Sequence, residues 1–496
     1  MGHLTNGQIY IGMPKIFGMR GILVSTTVTA CAAALTLPFL AAPSSASQST
    51  HDPGLTPRSV PGSTQSLPLV PLHGRNRTAG PEPTSEQGLP QLEVKPFSLV
   101  GIVWDDAAAE LRGHAQVRTR PVGSRDWAGW QEISTHDDDR PDRDSAEGRA
   151  GRLRGSTAPL WVGASDAIQV RVRPESTTTG RTPAAALPAG LRLELVDPGA
   201  DRTRSAAPPV PSENELAASA ANVPLAPLGA TEIPALGKPE SEGDVEYTGT
   251  GELQVDDEES GDQGEGEQSA DDADQGGGDG YDADDYGRPS GVDGRYVGPR
   301  PRIVTRAGWA ADESLRESGF SYTGAVRAAF IHHTASGNRY SCSQSASVIR
   351  GIYRYHVVSS GWRDLGYNFL IDKCGTIYEG RAGGVARPVK GAHTLGFNSS
   401  SMGIAVLGTY GTTSPSTAAV DAVADLTAWK LGLFGANPAG TASLVSGGGN
   451  RFKKGTKVKL KAISGHRDGF ATECPGKRLY SKLGTARSVA ARLQGR

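Results

Sequence analysis

The stretch "GHRDGFATECPG", residues 465–476, places His466 and Cys474 eight positions apart around an Arg-Asp pair and a small polar run. Imidazole and thiolate are both zinc donors, and three protein donors with one position left open is the pattern of a catalytic zinc site. Eight positions are too many for one helical turn, so a loop must fold back between them, which Gly469 and Pro475 favour. A third donor must come from elsewhere, and His332, His333, His356 and His393 are the candidates. His332 and His333 follow the apolar run "AAFI", and neighbours on a strand point to opposite faces, so only one of them can enter a given site. His356 falls among Val348, Ile349, Ile352 and Tyr353 at helical spacing, which suits a packed, hydrogen-bonded residue better than a ligand. "HRD" also opens kinase catalytic loops, but Glu473 stands where that loop requires Asn, and no Gly-rich loop or "DFG" accompanies it. At this spacing alone, an ordinary turn that happens to hold two reactive side chains competes with a metal site.

The chain has 496 residues and a formal net charge of −2, enough length for two or three domains. Acidic residues crowd into roughly 240–290, while Lys and Arg gather after Asn450. Lys15 and Arg20 precede the run "GILVSTTVTACAAALTLPFLAA", and Ser44 and Ala46 supply a small-x-small pattern after it. This reads as an export signal over 1–46, cut after Ala46, in which a start at Met19 would give a more ordinary signal, with no stable membrane span once it is removed. A membrane anchor has the right length but the wrong composition, and lipidation at Cys31 is disfavoured because the apolar run continues past it. Cleavage leaves Cys342, Cys374 and Cys474, an odd count for an oxidising compartment. A metal on Cys474 would leave Cys342 and Cys374 to pair as a disulfide.

Along the chain, the seven tryptophans fall into two blocks, Trp104 to Trp161 and Trp309 to Trp429. A Pro/Ser-rich segment over 47–91 is expected to be disordered. Residues 92–197 read as strands between Gly/Pro/Asp turns, a small all-β sandwich-like accessory domain. There, Trp127 and Trp130 could form a sugar platform but read better as core, and "HDDDRPDRD" at 136–144 lacks calcium-loop spacing and reads as a solvated loop. The Pro/Ala-rich, then Gly/Asp/Glu-rich stretch 198–297 is expected to be a disordered acidic linker. Over 298–496 strands and helices alternate, an α/β domain with a central mixed β-sheet flanked by helices and a last helix near 477–493. "NRFKKGTKVKLKAISGH" reads as a basic hairpin leading to His466. Its lysines could attract anionic wall polymers, a solvated face being the commoner case, and nothing in it supports nucleic-acid binding.

"FIHHTAS" (330–336), "GWRDLGYNFLID" (361–372), "GTIYEGR" (375–381), "GAHTLGFNSSSMGIAVLG" (391–408) and "GHRDGFATECPG" follow one another in that order. Together they resemble the zinc-dependent N-acetylmuramoyl-L-alanine amidases of the peptidoglycan recognition protein family, over nearly all of 298–485. Residues 92–197 resemble, less diagnostically, the β-rich part of secreted actinobacterial members. The resemblance implies Zn2+ held by His332, His466 and Cys474, an active-site tyrosine at Tyr367, and Thr472 at the position two before the cysteine. It places His393 and Asn398 in a peptide groove to which His333 and Trp362 can contribute. It implies a secreted, wall-associated hydrolase that cuts the amide between N-acetylmuramic acid and L-alanine of peptidoglycan. A recognition protein that binds without cutting is the alternative, and the oligomeric state is not legible.

Overall fold

The alternating strands of the accessory region form an all-β domain in the computed structural model, which describes residues 62–72, 86–135, 139–175, 186–199, 211–248 and 294–496. The expected export signal, and the Pro/Ser-rich segment up to residue 61, lie outside the described residues. Strands β1 (Ser63–Pro68), β2 (Val70–Pro71), β3 (Gln87–Trp104), β4 (Gly113–Pro121), β5 (Gln131–Ile133), β6 (Gly155–Ser156), β7 (Leu160–Pro174) and β8 (Arg192–Asp197) hydrogen-bond as one antiparallel sheet. Its main order is β1-β8-β3-β7-β4-β5. The domain therefore starts earlier than residue 92. Part of the segment expected to be disordered supplies β1, which pairs along the whole of β8 from Ser63↔Asp197 to Pro68↔Arg192.

Both faces of β3 are covered, which explains why "LVGIVW" is buried from Leu99 to Trp104. Side chains alternate across a strand. Val100, Ile102 and Trp104 enter the accessory core with Val117, Ile168, Val170, Leu193 and Leu195. Leu99 and Val103, on the other face, join Trp161 and Val196 against Val348, Ile349, Ile352 and Tyr355 of the C-terminal domain. Gly101 faces the Tyr355 ring, which a Cβ would meet at 2.4 Å, and the Tyr355 hydroxyl reaches the carbonyls of Ile102 and Thr157 (3.2 and 3.1 Å). The accessory domain is thus packed onto its neighbour through apolar contacts.

The C-terminal domain is a mixed sheet between helices, as expected. Its seven strands are β9 (Glu232–Ile233), β10 (Ile303–Val304), β11 (Ala328–His333), β12 (Phe369–Ile371), β13 (Ile377–Glu379), β14 (Ser401–Val406) and β17 (Ile463–Gly465), in the order β17-β11-β14-β12-β13-β10-β9. The central pairs β11–β14, β11–β17 and β12–β14 are parallel. Helices α5 (Thr417–Gly432) and α8 (Leu483–Gln494) contribute to the larger core, with Trp429, Leu426 and Ala490 against Ile331, Ile404 and Ile463. Helix α4 (Ser345–Arg354) packs with Leu370, Ala405 and Leu407 and meets the accessory domain through the same cluster. A hairpin, β15 (Thr441–Val445) and β16 (Lys457–Lys461), buries Val458 and Leu460 near Phe330 and Phe397 and exposes Lys457, Lys459 and Lys461. Cys342 and Cys374 form a disulfide.

The expected linker needs a correction over 211–248; residues 249–293 lie outside the described residues. Helix α2 (Glu213–Ala220) opens with a capping box between Ser212 and Glu215, and β9 adds an edge strand to the sheet. Asn222 donates to Glu379 Oε1 (2.9 Å) and accepts the Val385 N–H (2.9 Å). Asp244 accepts from Arg300 Nη1 (3.0 Å) and Trp429 Nε1 (3.0 Å) in a buried cluster. The segment folds because the neighbouring domain supplies partners that it lacks itself. Among the described residues no helix is long and apolar enough to cross a membrane.

Candidate metal centre

Parallel register decides which histidine can meet His466. Ile331 pairs with Gly465 across β11 and β17, so the next residues, His332 and His466, leave adjacent strand ends side by side. Their ring centroids are 4.5 Å apart, and His466 opens a short helix, α6 (His466–Gly469). The loop after it returns Cys474, whose Sγ lies 3.8 Å from His332 Nδ1. One donor atom from each of His332, His466 and Cys474 lies within 4.8 Å of the others. Zinc bonds of 2.0–2.3 Å in a tetrahedron put donors roughly 3.3–3.7 Å apart, so a small adjustment closes the triad on an ion.

Neighbouring groups hold the triad. The Thr394 hydroxyl lies 3.4 Å from His332 Nε2, the kind of outer contact that orients a ligand ring. The His333 N–H points at Cys474 Sγ (3.4 Å), and the Thr472 hydroxyl accepts the Cys474 N–H (3.1 Å). Thr472 therefore positions the cysteine. His333 accepts the Tyr410 N–H at Nδ1 (3.2 Å), so its ring is engaged away from the triad. His356 is buried and accepts the Gly366 N–H (3.2 Å), a packed residue as expected, and Trp362 stacks on it at 4.2 Å. Asn398 accepts the N–H groups of His393 (2.7 Å) and Thr394 (2.9 Å) and so shapes the loop beside His332.

The residue that sequence reasoning missed is Asp139, in the stretch read as a solvated loop. It comes from the accessory domain and is 5% exposed. Its Oδ1 lies 2.9 Å from His332 Nδ1 and 3.3 Å from His466 Nδ1, and Oδ2 accepts the Tyr367 hydroxyl at 2.5 Å. Further along the same loop, Asp142 Oδ1 accepts from Gly396 N (2.7 Å) and Asn398 Nδ2 (2.9 Å). Only the density of acidic residues in "HDDDRPDRD" hinted at a role, and that pattern is commonly a solvated surface.

Burial pushes His332 and His466 down to about 3, so both imidazoles are neutral near pH 7, the form a metal requires. Burial pushes Asp139 up to about 6, opposed by His466 and Tyr367. Asp139 Oδ1 and both ring nitrogens of His466 are buried without a hydrogen-bond partner. A neutral imidazole presents a lone pair on one nitrogen and an N–H on the other, and buried polar atoms left without a hydrogen bond are costly; a divalent cation bound to the lone pairs lowers that cost. The residues fit a zinc ion on the chemistry of the donor set and on these unpartnered atoms.

The C-terminal domain is thus a mixed sheet that brings two histidines from adjacent parallel strands together with a cysteine from the loop that follows. A family profile described as N-acetylmuramoyl-L-alanine amidase matches residues 322–477, and one described as Rv3811 N-terminal galactose-binding domain-like matches 49–190. Peptidoglycan-recognition protein SC2 of Drosophila simulans is 33% identical over 186 residues, 37% of this chain and 85% of that protein. The human N-acetylmuramoyl-L-alanine amidase is 31% identical over 161 residues, 32% of this chain and 23% of that protein. Among solved structures, Drosophila PGRP-LB is 27% identical, covering 37% of this chain and 92% of that one with a TM-score of 0.30. The chain belongs to the family of peptidoglycan-recognition proteins and type 2 N-acetylmuramoyl-L-alanine amidases.

Proposed function

We infer that the protein is an exported zinc amidase that hydrolyses the bond between N-acetylmuramic acid and L-alanine in peptidoglycan. The observation that carries this is the complete donor triad, His332, His466 and Cys474, with the Tyr367 hydroxyl beside it. The Cys342–Cys374 disulfide suits an oxidising compartment.

Zinc held by the triad would polarise the amide carbonyl and supply an activated water. The chain's own residues do the rest. The His333 N–H steadies the Cys474 sulfur, Thr472 fixes the turn that delivers it, and Thr394 holds the His332 ring. Tyr367 donates to a carboxylate oxygen of Asp139, which marks where the same hydroxyl can donate to an oxyanion developing on substrate.

The test is release of new L-alanine amino termini from purified peptidoglycan by zinc-loaded protein, with a chelator and zinc add-back as controls. It is run on the full chain and on an Asp139→Ala/Asp142→Ala variant that clears the approach to the triad. Chelator-sensitive release without new reducing sugar ends, from either protein, is the expected result. No release from both, with zinc bound stoichiometrically and peptidoglycan retained, would establish a recognition protein instead.

A further inference from the structure

We propose that residues 139–154 of the accessory domain form an intramolecular inhibitor: Asp139 takes the position that the triad leaves open, Asp142 and Glu147 fill the groove beside it, and the chain stays latent until the segment withdraws. This rests on the metal-site reading above and concerns how that site is regulated.

The groups that a muramyl peptide would have to reach are already engaged. Tyr367 and Trp362 are 3% exposed and Asn398 is 0% exposed. Asp139 Oδ1 sits within 3.3 Å of a ring nitrogen of each histidine, so its carboxylate stands against the triad. Asn398 Nδ2 donates to the Arg140 carbonyl and to Asp142 (2.9 Å each). Helix α1 (Ala146–Arg149), capped by Ser145, buries Glu147. That carboxylate takes Arg381 through both guanidinium ends (2.8 and 3.1 Å) and the Arg363 N–H (3.0 Å). Arg152 Nε and the Arg154 N–H close the far end on the carbonyls of Gly361 (2.8 Å) and Ser360 (3.1 Å). Three carboxylates of one segment thus meet two histidines, a tyrosine, an asparagine and an arginine around the centre.

The two kinds of contact between the domains differ in chemistry. Docking of β3, β7 and β8 on α4 is mainly apolar, through Leu99, Val103, Trp161 and Val196, with buried hydrogen bonds such as Ser359 to Glu194 (3.0 Å) among them, and such a face has little reason to part in water. Residues 139–154 are instead an excursion from the accessory sheet, held over the centre by charged and polar groups. Such groups can exchange their partners for water or for the polar groups of a ligand. Access therefore requires withdrawal of a loop, with the domain still docked.

The experiment uses the full chain, an Asp139→Ala variant and an Asp142→Ala/Glu147→Gln variant, all measured well below the lowest of their thermal midpoints, since opening the buried Glu147–Arg381 pair lowers stability. Affinity for a synthetic N-acetylmuramoyl tripeptide is measured by calorimetry on chelated protein, so that turnover does not intrude. Visible absorption of the cobalt-loaded proteins reports the ligand set, and release of L-alanine amino termini is followed on the zinc-loaded ones. A closed form reduces apparent affinity by the fraction of molecules that are open. The expected results are peptide binding at least about tenfold tighter in the Asp142→Ala/Glu147→Gln variant, faster release in both variants, and a changed cobalt band in Asp139→Ala. Unchanged affinity and rate in both variants would overturn the proposal. So would loss of release in Asp139→Ala with cobalt still bound, which would place that carboxylate in the catalytic machinery. No release from any of the proteins, despite a thiolate–cobalt band, would sink the amidase reading alone, because peptide affinity would still report on the segment.

Discussion

Replacing Asp244 by Ala tests whether residues 211–248 are part of the C-terminal domain's fold. Asp244 is 4% and Arg300 4% exposed; the carboxylate accepts from Arg300 Nη1 at 3.0 and 3.1 Å and from Trp429 Nε1 at 3.0 Å. Burial nevertheless raises its pKa, outweighing Arg300 and Trp429. The pair therefore adds little net stability as a pair, but removing one partner leaves a buried guanidinium without its counter-charge, at a cost of about 3–5 kcal/mol. With a slope of about 2–3 kcal/mol/M for a domain of this size, the urea midpoint should fall by roughly 1–2.5 M. The assay is equilibrium urea unfolding followed by tryptophan fluorescence. Adding Arg300→Met should recover part of the loss, since the stranded charge is then gone. A loss under about 0.5 kcal/mol, the range of an ordinary surface substitution, would refute the claim that the segment is a built-in part of the domain.

Cys474→Ser should abolish both stoichiometric zinc binding and hydrolysis while leaving muramyl peptide binding measurable; full turnover would refute the metal assignment. Thr394→Val keeps the side-chain shape but removes the hydroxyl 3.4 Å from His332 Nε2, so zinc affinity by chelator competition should fall about 10- to 100-fold. Glu379, buried beneath Asn222, is pushed up to about 7 by burial. Its folded pKa lies above its unfolded value, so its contribution is fully present near pH 4 and is lost as pH rises through 7, by up to about 3 kcal/mol. Urea midpoints between pH 5 and 8 should fall less steeply for Glu379→Gln than for the parent; equal slopes would show that this carboxyl does not titrate there.

Much of the centre was legible because its donors sit in short motifs. His466 and Cys474 share one loop, and the alternation of a strand already limited the "HH" pair to one ligand. The pairing of Ile331 with Gly465 then brings His332 beside His466. The folded part of the expected linker left one local trace, the Ser-x-x-Glu capping box at Ser212 and Glu215. Its apolar residues, such as Ala218, Leu225 and Ile233, are too sparse for a core of their own and are buried only with help from the sheet and its helices. Trp127 and Trp130 are half-buried, with Arg118 between them and Arg171 over Trp130 at 4.2 Å, an arrangement composition alone could not resolve.

What the sequence determined by itself is whatever depends on neighbours along the chain: strand and helix periodicity, the hairpin before His466, the return loop to Cys474 and the order of the motifs. These follow from local backbone geometry and side-chain alternation. Tertiary structure alone decided that β3 is buried on both faces and that a highly charged loop ends against two neutral histidines. Asp139 meets a tyrosine 228 positions away, and no local preference encodes such a contact. It exists because the apolar face of one domain docks on the other and carries the loop, with its carboxylates, over the centre.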